Sequence, residues 1–136
     1  MTQISSPGEQ TTVSVNRVPI VGARGQLTTT NNTTVYTAPA LVEPPNGTVA
    51  TAMLVSLILS NMDSADRTIA AHLVESGGSV ATNRTIIPTI TIKANTMVVI
   101  AFGERECPLE SGEFLNLKAG TADTIAYRVN VELLPQ

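Results

Sequence analysis

The feature that most constrains this chain is its two-residue alternation, clearest at the C-terminal end. From Ile125 to Leu133, the residues Ile125, Tyr127, Val129, Val131 and Leu133 alternate with Ala126, Arg128, Asn130 and Glu132. Successive side chains of a strand point to opposite faces, so this pattern predicts a strand with one buried face. Thr124, Arg128, Asn130 and Glu132 are then expected on the opposite face. Just before it, Leu115 and Leu117 alternate within Glu113–Lys118, and "KAGTAD" supplies the turn between the two runs.

The same grammar extends backwards. "TVYTAPA" reads as a short strand stopped by Pro39, and "LVEPPNG" is turn punctuation with paired prolines and an Asn-Gly step. In "TAMLVSLILSN", strict alternation places Met53, Val55, Leu57 and Leu59 on one face and Ala52, Leu54, Ser56 and Ile58 on the other. Both faces are apolar, as in a central strand or one covered by a partner. "MDSAD" turns the chain into "RTIAAHLVES", where Ile69, Ala71 and Leu73 share a face, and Gly77 and Gly78 end that run. "RTIIPTITIKA" follows, interrupted by Pro88, which cannot donate to a ladder and marks an edge or a bulge. "NTMVVIAFGERE" is apolar on both faces until Gly103.

Short strands at close spacing, with no convincing amphipathic helix, predict an all-β fold: an antiparallel two-sheet sandwich, jelly-roll-like, of about eight strands. With 136 residues, one core and one domain are expected. Residues 1–32 are rich in Thr, Ser, Asn and Gly and are expected to form an extended N-terminal arm, leaving 33–136 as the sandwich domain. An arm of this kind adds a strand to a neighbour's open edge, with backbone hydrogen bonds for affinity and alternate side chains for register. Val13, Val15, Val18 and Ile20 are the expected arm contacts, and Pro88 with its strand the expected subunit edge.

Charge and chemistry narrow the function. Hydrophobic residues are 43% and charged residues 14%, too apolar for a disordered chain and sparing of surface charge. The net charge is −3 and the eight Lys and Arg are scattered, so no nucleic-acid footprint is expected. Aromatics are 3% with no Trp, which argues against stacking platforms and against the aromatic floor of a sugar site. The start "MTQISSPGEQ" lacks the pattern of a signal peptide, and "AMLVSLIL" is too short to span a bilayer. No membrane association is expected.

His72 is the sole histidine and Cys107 the sole cysteine, so neither a disulfide nor a tetrahedral zinc site can be assembled within one chain. A nucleophilic role for Cys107 would require a nearby base, and its acidic neighbours disfavour a thiolate. Asp63 and Asp66 read as turn formers. Glu104, Glu106, Glu110 and Glu113 lack the loop spacing of a calcium site and the signature of a glycosidase pair. No catalytic residue, metal or cofactor is expected, and a carboxylate glycosidase is the most distant alternative.

The order "VYTAPA", "TAMLVSLILSNMDSADRTIAAHLVES", then "IPTITIKANTMVVIAFGERECPLESGEFLNLKAGTADTIAYRVNVELL" resembles the small β-sandwich virion proteins of tailed bacteriophages, across roughly 35–134. Where that group has a Gly-Lys step after the opening strand, this chain has "LVEPPNG", so a contact made by that loop does not carry over. The resemblance implies a non-enzymatic subunit that decorates and cements a capsid, assembled in the host cytoplasm and resident in the virion. It also implies a homo-oligomer, a trimer first among the options, contacting a major capsid or tail protein. The alternative is a tail, neck or fibre component, including a receptor- or carbohydrate-binding module. A closed assembly would account for the low surface charge and the two-sided apolar strands.

Overall fold

The structure, a computed structural model, describes residues 20–39, 50–103 and 106–135. Its strands are β1 (Ile20–Gln26), β2 (Thr33–Thr37), β3 (Ala50–Asn61), β4 (Arg67–Val74), β5 (Thr85–Ile92), β6 (Met97–Ala101), β7 (Pro108–Leu109), β8 (Phe114–Ala119) and β9 (Ile125–Pro135), with one 3-10 turn at Thr82–Arg84. They form two antiparallel sheets. One has the order β1-β9-β3-β6, with β7 also against β3; the other has the order β2-β8-β4-β5.

The core lies between these layers, as expected of a β-sandwich. Leu54, Leu57 and Leu59 of β3 with Val129 and Val131 of β9 form one core cluster with Ile69 and Ala71 of β4 and Leu115 and Leu117 of β8. Each fully buried leucine contributes about 1.5–3 kcal/mol relative to exposure. With a lone, unpaired Cys107, this packing and the ladders hold the fold.

β3 is central, as its two apolar faces imply, yet its faces are not those of strict alternation. A bulge between Leu54 and Ser56 in the pairing with β9 inserts Val55 as an extra residue. Ala52 and Leu54 before it, and Leu57 and Leu59 after it, all reach the core, while Val55 and Ile58 are only partly buried. One inserted residue moves everything beyond it to the other face. On β9 the alternation holds through Val131, but Glu132 is buried and Leu133 is 39% exposed. On β4, Val74 is fully buried and Leu73 only partly so.

The sandwich also takes in residues that the composition assigns to an arm. β1 pairs along β9 from Ile20 opposite Val131 to Gln26 opposite Ala126, and Leu27 beyond it is 1% exposed. β1 has few apolar side chains of its own. Two rings from other strands supply them: a Cβ on Gly22 would lie 2.9 Å from the Tyr36 ring, and one on Gly25 would lie 2.8 Å from the Tyr127 hydroxyl. Residues 20–27 are thus part of the first sheet and its core.

The β3–β4 turn is pinned by buried Asn61. Its side-chain amide donates to the carbonyls of Ala65 and Ile92, both at 2.9 Å, and its Oδ1 accepts the Asp63 N–H at 2.9 Å. Asp63 in turn accepts from Arg67 Nε at 2.7 Å.

Candidate functional site

The candidate chemistry of the sequence falls on separate parts of the fold. Val13, Val15 and Val18 lie outside the described residues. Ile20 opens β1 and is 47% exposed. Pro88 is exposed on β5, the margin of the second sheet, at an interruption in the pairing with β4.

His72 sits on β4, opposite Asn116 of β8 and Thr85 of β5. Thr34 of β2 donates its hydroxyl to Asn116 Oδ1 at 2.8 Å, so a polar row of Thr34, Asn116, His72 and Thr85 crosses all four strands of the second sheet. His72 Nδ1 is buried and has no hydrogen-bond partner among the described residues. Cys107 belongs to the other sheet's side, where its carbonyl accepts the Leu54 N–H at 2.9 Å. Burial, and then the Glu113 charge, push the Cys107 thiol above its ordinary value, which favours the protonated, unreactive form.

The acidic residues act as structural ties. Arg67 holds the Asp63 carboxyl below the usual carboxylate range, chiefly through its side-chain hydrogen bond and then with the Ser64 N–H. Asp66 accepts the Ala94 N–H at 3.0 Å. At the opposite end of the sandwich an open cleft of about 930 Å³ is lined by Thr51, Leu73, Glu75, Arg84, Glu110 and Glu113 among others. There Arg84 pairs with Glu75 and donates to the Ser79 carbonyl at 3.0 Å, while Glu113 Oε1 accepts the Glu110 N–H at 2.8 Å. Among the described residues no group of three or more His, Cys, Asp or Glu comes together as a metal site.

The outer face of the first sheet is different in kind. Register places Arg24 of β1 directly opposite Arg128 of β9, both exposed, and among the described residues neither has an ion-pair partner. Like charges at directly opposed positions repel, so this pair destabilises the fold slightly. On the same face, Ile58 of β3 stands opposite Val99 of β6, and Ser60 stands opposite Met97. Met97 is 59% and Val99 56% exposed. The sequence showed that this strand is apolar on both sides; it did not show that the strand is marginal, because that depends on which strands flank it. The arginine pair depends on the β1–β9 register and has no local signal.

No family model matches the chain, and no curated protein matches it.

Proposed function

We propose that this chain is a non-enzymatic virion structural protein of a tailed bacteriophage, an oligomeric capsid decoration or cement subunit acting through its edges and outer faces. The connectivity carries the reading. Setting two-residue β7 aside, the first strand pairs with the last, β2 with β8, β3 with β6, and β4 with β5. That is one long hairpin, nested fourfold and rolled so that β9 comes to lie beside β3 and β8 beside β4. This connectivity supports reading the sandwich as a jelly roll, an architecture used in viral shells and in lectins.

The surface supports a subunit rather than a catalyst. Carboxylates tie turns, the thiol is held protonated, and exposed apolar side chains gather on one sheet. Val13, Val15 and Val18, with Ile20, remain the proposed arm contacts on a neighbour. The lectin branch has less support, because the chain has no Trp and both of its tyrosines pack against the glycines of β1.

The test is co-sedimentation of the purified protein with separated empty heads and tails of the phage. Binding to heads is expected, and shells lacking the subunit should rupture under milder heating. Binding to tails alone would move the subunit to the tail or fibre. Binding to neither would overturn the reading.

A further inference from the structure

Among the described residues, and apart from two-residue β7, which opens on Pro108 and lies against β3 in line with β6, four strands lie at the margins of the two sheets, and three of them carry devices that stop further pairing. β1 has a bulge between Val21 and Ala23 and carries Arg24. β2 has a bulge between Thr34 and Tyr36. β5 carries Pro88 and faces two irregularities in its register with β4. β6 has none of these. It pairs with β3 in unbroken register, from Ser60 opposite Met97 to Ser56 opposite Ala101, and its sequence MVVIA holds no charge, proline or glycine.

The phase of the ladder decides what β6 offers. Phe102 donates its N–H to the Val55 carbonyl and Asn61 donates its N–H to the Thr96 carbonyl, both at 2.9 Å. Hydrogen-bonded positions alternate along an antiparallel pair. Thr96, Val98, Ile100 and Phe102 therefore face β3, while the N–H and C=O groups of Met97, Val99 and Ala101 point outward. Among the described residues these outward groups have no ladder partner, and the side chains of the same three residues are exposed.

We propose that β6 is a self-association edge, pairing antiparallel with β6 of a second copy about a two-fold axis at Val99. The strand complements its own image. Val99 meets Val99, bulky Met97 meets small Ala101, and three N–H groups from each copy satisfy three carbonyls of the other. With no charge on the strand, the two-fold brings no like charges together on it, whereas the β1 margin carries Arg24. Positive φ at Asn95 (55°) and at Gly103 (81°) turns the chain at either end, which confines the contact to β6 and makes the dimer concentration-dependent. The contact rests on the strand's own chemistry and is independent of the virion reading. It is a two-fold contact, a different symmetry from that of the trimer the resemblance implies.

The test is sedimentation velocity of the full chain over a dilution series. A monomer–dimer equilibrium is expected, and Val99→Lys should abolish it while leaving the melting curve in place, because the Val99 side chain is exposed and its amide lies outside the β3 ladder. In a Cys107→Ser background, Val99→Cys should oxidise to a disulfide-linked dimer, since a hydrogen-bonded pair spaces its Cα atoms by about 5.5 Å. Thr91→Cys, exposed on β5, is the control for random collision. A wild-type chain that stays monomeric throughout would overturn the proposal. So would a Thr91→Cys chain that cross-links as fast, or an oligomer indifferent to Val99→Lys.

Discussion

Gly22 and Gly25 show how single residues carry β1 into the sandwich, and they differ in what a methyl group would meet. At Gly22 a Cβ would stand 2.9 Å from Tyr36 Cε1 and 3.1 Å from the buried Val131 side chain, so the tyrosine ring and the core valine would both have to shift. At Gly25 the nearest atom, at 2.8 Å, is the Tyr127 hydroxyl, the far end of a side chain that can swing aside. Gly22→Ala should therefore cost about 1–3 kcal/mol as overpacking, and Gly25→Ala clearly less, both read from urea unfolding midpoints. Burial also pushes the Tyr36 hydroxyl above its ordinary pKa. The sequence displays these glycines and tyrosines but not their meeting, because the partners come from strands remote in the chain. For the same reason Ile20–Gln26 reads as an arm when taken alone.

At the scale of the element, alternation was a good guide to which runs are strands and a poorer one to where each strand lies in its sheet. β3 was legible as central, since two apolar faces need two coverings. The bulge at Val55 was not, because it arises from the fit of β3 against β9 and has no proline or glycine to mark it. β6 carries nearly the same apolar signature as β3 but sits at a margin, so composition alone cannot separate a strand covered by its own fold from one covered by another chain. Amide hydrogen exchange separates them. At low protein concentration the amides of Met97, Val99 and Ala101 should exchange far faster than those of Val98 and Ile100. A uniform rate along the strand would refute the ladder phase derived from Phe102 and Asn61.

For the molecule as a whole, the C-terminal run that announces the fold most plainly in sequence also completes it in space. β9 lies between β1 and β3 and places Ile125, Val129 and Val131 in the core. A chain ending at Gly120 would leave β1 without its partner in the sheet and β3 without its longer neighbour, and it should show neither a dispersed amide spectrum nor a cooperative melt. The nesting was not legible from the strands one at a time, since turn signals mark where neighbours in sequence part but not which distant runs meet. It also has a consequence in time. Ribosomes add residues at about 5–20 per second and domains generally fold as units, yet the first sheet of this one closes only after its last strand has cleared the exit tunnel. Until then β3 lacks the neighbour that pairs along its whole length, and its apolar side chains wait for β9 to cover them.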